Sequence, residues 1–244
     1  MATNIKRVKS MTSILNHEEY SFEIRENAED PSFDHNLDFK VVNETWIENV
    51  YRIHDYQFTD GGVFVDIGAN IGAVSLFVDN FNKNREGDKK IKIYAVEPEP
   101  NNLHLLNQNI KNNVTENITV INNAIWHEKK MVSISNRGGN SSIVDLEKND
   151  KSEVLAITME NLFSTYKIKE VDVMKIDIEG AEFDLILNTP AKTLAKIKIL
   201  VLEFDKSFDG KFGQMVEKLS KQFGIDILGS PERGGYIYAN RYSD

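Results

Sequence analysis

Val63-Phe64-Val65-Asp66-Ile67-Gly68-Ala69-Asn70-Ile71-Gly72 decides the fold of this chain. A short apolar run after the turn pair Gly61-Gly62 reads as a buried strand. Ile71, Val74, Phe77, Val78 and Phe81 then recur at helical spacing. The strand delivers Asp66 to its C-terminal end, and the glycines let the chain turn and approach a ligand closely. A turn of this kind also serves packing alone, so its meaning depends on what surrounds it.

Outward from this stretch the alternation continues. Residues 91–96 form a second strand ending at Glu97-Pro98, and Leu103, Leu106 and Ile110 mark one face of a helix. Residues 118–121, 172–178 and 197–204 read as three more strands, with a short helix from Ala181 between the last two. Phe212, Met215, Val216, Leu219 and Phe223 share a helix face, and residues 225–228 and 236–239 form a closing strand pair. Strand–helix alternation predicts a mainly parallel sheet covered on both faces; two strands joined by a turn predict an antiparallel edge. The expected fold is α/β: a doubly wound, Rossmann-like, mainly parallel seven-stranded sheet with an antiparallel C-terminal edge hairpin. Residues 61–244 are expected to form that domain and residues 1–60, which show no clean period, an N-terminal cap. Residues 132–158 are expected to be a loop approaching a ligand, because Arg137-Gly138-Gly139-Asn140-Ser141-Ser142 is rich in small residues.

Composition narrows the class. The chain has 244 residues, no cysteine and a net charge of -9. Disulfides, thiolate metal sites and a cysteine nucleophile are excluded, and the charge disfavours a nucleic-acid partner, whose phosphates are bound by Lys and Arg. No apolar run reaches the roughly 20 residues that span a bilayer, and Lys6, Arg7 and Lys9 are not followed by an apolar core. A cytoplasmic location is therefore expected.

Charge also chooses the ligand of the first turn. A dinucleotide sets its pyrophosphate on the helix N-terminus, but here Asp66 precedes the turn and the spacing is Gly-x-x-x-Gly. S-adenosylmethionine has an ammonium and a sulfonium and no phosphate, so an acidic lip suits it better. Ser75 is a candidate for its carboxylate. Glu97 can accept hydrogen bonds from both ribose hydroxyls, with Pro98 stiffening the turn behind it. Asn123, Ala124 and Ile125 offer adenine a polar edge and an apolar wall.

Lys175-Ile176-Asp177-Ile178-Glu179-Gly180-Ala181-Glu182 crowds three acids and a lysine at the end of an apolar strand. Charges there are costly unless used. With Asp66–Gly72, Glu97-Pro98 and the helix carrying Asn109, this block resembles the FkbM-type methyltransferases over about residues 45–205. The resemblance implies a class I methyltransferase fold, S-adenosylmethionine as methyl donor, and O-methylation of a sugar, glycan or small natural product; Asp66, Gly68, Asn70, Gly72 and Glu97 are the candidate residues of the cofactor pocket.

A hydroxyl acceptor benefits from a positioned base. Asp177 or Glu179 is the candidate, with Lys175 tuning charge; alternatively these carboxylates hold the cofactor ammonium or anchor sugar hydroxyls. His54 is a reserve base. Asp177 with Glu203 would be the metal ligands if a divalent ion were used, but no spacing demands one and no metal is expected. The competing readings are a nucleic-acid or N-methyltransferase, a nicotinamide-dependent oxidoreductase, and a binding module that keeps the cofactor pocket without catalysis.

Overall fold

The structure, a computed structural model, describes residues 8–15, 18–25, 37–83, 89–137, 140–144, 152–207 and 209–242. The chain begins with a hairpin of β1 (Val8–Leu15) and β2 (Glu18–Arg25), followed by helix α1 (Leu37–Trp46). The deciding stretch then forms β3 (Val63–Ile67) and α2 (Ala73–Lys83), succeeded by β4 (Lys92–Val96), α3 (Pro100–Asn112) and β5 (Ile118–Ile121). After a small second sheet come α4 (Met159–Thr165), β10 (Val171–Ile176), α5 (Glu182–Asn188), α6 (Ala191–Leu194) and β11 (Ile197–Phe204). Helix α7 (Lys211–Ser220) and the hairpin β12 (Phe223–Ser230) and β13 (Gly234–Arg241) close the chain.

The main sheet has seven strands in the order β12-β13-β11-β10-β3-β4-β5. Strand β10 lies parallel between β3 and β11. Strand β13 is antiparallel to both β11 and β12, so it alone is reversed. All six residues of β10 are buried, as a central strand covered on both faces requires. This is the mainly parallel seven-stranded sheet with a C-terminal edge hairpin that the alternation predicts.

Residues 132–158 are not the expected loop. The small second sheet comprises β6 (Ala124–Ile125), β7 (Lys130–Arg137), β8 (Asn140–Val144) and β9 (Ser152–Ile157), in the order β6-β9-β7-β8. In β9, Val154 and Ala156 are buried while Glu153 and Leu155 are exposed. An outward leucine hides that period of two in the sequence. Gly138-Gly139, central to the loop expectation, lies outside the described residues.

The aperiodic N-terminal residues share a core with the sheet. Tyr20, Phe22 and Ile24 alternate inward from β2 and cluster with Val42, Trp46 and Ile53 against Phe77, Phe64 and Val173. Trp46 meets the rings of Tyr20, Phe22 and Phe77 at 4.9, 5.5 and 5.2 Å and donates its indole N–H to Ala73 O at 3.1 Å. Strand β2 is also held through its backbone by Asn109 of α3 and by Asn113, which caps the C-terminus of that helix. Asn109 Oδ1 accepts from Glu23 N at 2.6 Å, and Asn113 Oδ1 accepts from Ser21 N at 2.9 Å. Their amides donate back to Glu23 O and Ser21 O, so two carboxamides replace a missing neighbour strand at an exposed edge. No helix among the described residues is long and apolar enough to cross a membrane.

Candidate active site

Where β3, β4 and β10 end, a cleft of about 550 Å³ opens, its mouth included. Ligands of open α/β sheets bind at this end. The end of β3 contributes Gly68 and Asn70, and the end of β4 contributes Glu97 and Pro98. The corner after β5 supplies Asn123, Ala124 and Ile125, and the end of β10 supplies Asp177 and Glu179. Ile134 of β7 and Asn102 of α3 complete the wall. The second sheet therefore borders the cleft even though its loop reading fails.

The first turn is built differently from its reading in sequence. Asp66 is fully buried and is not part of the lining; its Oδ2 accepts from Ser75 Oγ at 2.7 Å, and its Oδ1 lies 3.4 Å from Lys175 Nζ. Ser75, equally buried, therefore spends its hydroxyl on Asp66 and not on a ligand carboxylate. Both residues sit beneath the turn, since β3 delivers Asp66 one pleat short of the cleft. Gly68 lines the cleft at φ 79°, but the side chain it omits would collide with the carbonyl of Asp177. Gly72, at φ 91°, makes room for Leu106 and does not line the cleft. Both glycines thus serve close packing, with Gly68 bordering the ligand space as well.

Glu97 is buried at the end of β4. Its Oε2 accepts from Asn70 N at 2.8 Å, and its Oε1 accepts from Glu99 N at 2.8 Å with Asn102 Nδ2 at 3.4 Å. Asn70 reaches this bond from a left-handed φ of 51°, a conformation asparagine tolerates better than most residues. Burial pushes the Glu97 carboxyl up to about 7, despite those hydrogen bonds. Asn123 donates its amide to Leu155 O at 2.9 Å, tying the corner after β5 to β9.

The acidic block turns on Lys175. Its ammonium, almost fully buried, donates to Gly68 O at 2.7 Å and lies 3.2 Å from Asp177 Oδ2. Burial by itself would strip the proton, but the charges of Asp177 and Asp66 outweigh it and raise the pKa. Lys175 thus stays a fixed cation below the cleft, bracing Asp177. The same Asp177 oxygen receives the hydroxyl of Tyr51 at 3.0 Å, and that hydroxyl is also 3.1 Å from Glu203 Oε2 at the end of β11. Burial and the charge of Asp177 push Glu203 up to about 8 and Glu179 up to about 7. Glu182 folds back, accepting from Ile178 N and Gly180 N, and burial raises it to about 7. Exposed His54 packs edge-on against Phe77 at 4.7 Å and is no part of the cleft lining.

The structure therefore brings Gly68, Asn70, Glu97, Pro98, Asn123, Ala124, Asp177 and Glu179 to one cleft and leaves Asp66, Gly72, Ser75 and Lys175 behind its wall. Tyr51 and Asn102 escape sequence reasoning. Tyr51 comes from a segment without periodicity, and Asn102 is one of many asparagines in a polar helix.

The model of the FkbM methyltransferase domain matches residues 66–238, and the chain belongs to that family. A comparison with curated proteins found no match. Among solved structures, a methyltransferase FkbM from Methylobacillus flagellatus is 17% identical, with a TM-score of 0.53 over 82% of this chain and 53% of that one. An rRNA methylase from Streptococcus thermophilus is 11% identical, with a TM-score of 0.49 over 82% of this chain and 96% of that one. The likeness to the Methylobacillus flagellatus protein concerns the fold alone.

Proposed function

We propose that this FkbM-family methyltransferase moves a methyl group from S-adenosylmethionine to a hydroxyl oxygen of a sugar, glycan or small natural product. One observation carries the reading: Asp177 lines the cleft, while Lys175 and Tyr51 both contact the same oxygen of its carboxylate. Among the described residues nothing binds the other oxygen, which we assign to the ligand.

The cleft suits this donor. Its ammonium, ribose hydroxyls and adenine amino group all donate hydrogen bonds. Among the described residues, the lining offers the acceptors Glu97, Asn70, Asn102, Asp177 and Glu179 and holds no Lys, Arg or His to meet a pyrophosphate. The buried carboxamide oxygens of Asn70 and Asn102 have no hydrogen-bond partner among the described residues, which suits a donor-rich ligand. Asn70, Glu97, Pro98, Asn123 and Ala124 would hold it, with Asp177 at its reactive end.

When bound, the sulfonium supplies an electrophilic methyl group and leaves as a neutral thioether. The protein's part is to position the acceptor oxygen and to receive its proton as the O–CH3 bond forms. Asp177 is the proton acceptor we assign, braced by Lys175; Glu179, whose carboxyl titrates near 7, is the second candidate. The net charge of -9 favours a small or glycan acceptor over nucleic acid.

The test is thermal stabilisation by S-adenosylhomocysteine against NAD, followed by mass-spectrometric screening of sugars, glycans and small hydroxylated compounds for methyl gain. Stabilisation by NAD alone, or transfer only to RNA or amines, overturns the reading. Asp177→Asn and Glu179→Gln should reduce transfer while preserving binding of the homocysteine product.

A further inference from the structure

Glu97 has less capacity for a ribose than its position suggests. A carboxylate oxygen accepts about two in-plane hydrogen bonds. Oε1 already takes Glu99 N and faces Asn102 Nδ2, while Oε2 takes only Asn70 N. A single well-directed position remains, on Oε2. A ribose presents two vicinal hydroxyl donors, so one of them needs another acceptor.

Asn102 stands beside Glu97 and lines the same cleft. Its backbone N–H is fixed by Glu99 Oε2 at 2.7 Å, which caps α3 at its N-terminus. The amide nitrogen must face the carboxylate of Glu97, because two acceptors cannot face each other. The carboxamide oxygen therefore points elsewhere, and it is buried with no partner among the described residues. The whole side chain is only 3% exposed. Buried polar atoms without partners are rare enough to require a reason.

We propose that Asn102 is a cofactor-binding residue: its Oδ1 accepts one hydroxyl of the ribose while Glu97 Oε2 accepts the other. The diol is thus divided between a carboxylate and a carboxamide, and the pair selects a ribonucleoside over its deoxy forms. This rests on the reading of the cleft as an S-adenosylmethionine site.

The experiment is calorimetric titration of the full chain with S-adenosylhomocysteine and its 2′-deoxy and 3′-deoxy analogues. Wild-type protein should lose roughly tenfold in affinity for each missing hydroxyl, more where the charged partner is lost. Asn102→Ala and the near-isosteric Asn102→Leu should bind S-adenosylhomocysteine roughly tenfold more weakly. They should no longer distinguish it from one of the two deoxy analogues, while still rejecting the other. If both variants keep wild-type discrimination at both hydroxyls, Asn102 is not a ribose ligand and the donor assignment stands. Indifference of the wild type to either hydroxyl overturns the division without any variant having to fold. Failure of wild-type protein to bind S-adenosylhomocysteine removes the donor assignment itself.

Discussion

The hydroxyl of Tyr51 lies 3.0 Å from Asp177 Oδ2, across 126 positions of sequence. Tyr51 is buried under Tyr236, with ring centroids 5.8 Å apart, so the N-terminal segment reaches beneath the floor of the cleft. Its single proton serves either Asp177 or Glu203 at one time, which ties the two carboxyl groups together. Tyr51→Phe removes that tie with little change in volume. Turnover is expected to fall roughly tenfold or more, while the affinity for S-adenosylhomocysteine stays within about twofold of wild type. Unchanged turnover would release Tyr51 from the site.

Lys175→Met leaves Asp66 and Asp177 facing each other across a buried space with no cation. Breaking a buried pair from one side costs about 3–5 kcal/mol, and here two acids lose one partner. Urea denaturation should show the loss as a lower midpoint with an unchanged slope. A variant as stable as wild type would show that Lys175 is not what holds the two acids in place.

Asn109→Ala tests how the hairpin is held. The carboxamide serves Glu23 N, Glu23 O and, at 2.9 Å, Ile71 O in the first turn. Its loss should cost about 1–3 kcal/mol and speed hydrogen exchange at the Glu23 amide. Protection equal to wild type there would show that apolar packing alone fixes β2.

Stability of the unliganded protein should decline from mildly acidic to mildly basic pH. Glu97, Glu179 and Glu182 titrate at about 7 and Glu203 at about 8, all above 4.5. The native state therefore binds more protons than the unfolded chain, and the slope of unfolding free energy with pH is negative in that window. Their contribution is complete below about 4.5 and lost as pH rises through 7 to 8. A melting temperature that rises between pH 5.5 and 8.5 contradicts these environments.

Ligand binding should release protons near neutrality. Glu97 accepts best when ionised, and burial holds its pKa at about 7. S-adenosylhomocysteine should bind more tightly at pH 8 than at pH 6, with a binding enthalpy that depends on buffer ionisation. Glu97→Gln should remove most of that pH dependence; its persistence would place the proton on another group.

Much of the fold is legible locally, because a central strand such as Val171–Ile176 is mostly apolar, with Val171, Val173, Met174 and Ile176, and a covering helix such as Ala73–Lys83 repeats its apolar face. The second sheet is not legible, since outward Leu155 and Met131 blur its alternation. Asn109 and Asn113 read as solvent-facing amides in the sequence, because β2, whose backbone they bind, is remote in the chain.

The sequence by itself determined the sheet, the turn after β3, the family and the acidic residues gathered at the strand ends. Each of those follows from residues close together in the chain, where periodicity and spacing carry the information. Which of those acids line the cleft is settled by folding. Asp66 is turned under the floor onto Ser75 and Lys175, whereas Asp177 and Glu97 open into the cleft. Strand register and burial make that choice, and they bring in Tyr51 and Asn102, whose partners lie on other strands or behind a turn. An acid's role depends on which charges and donors share its low-dielectric surroundings, and those neighbours are assembled by folding.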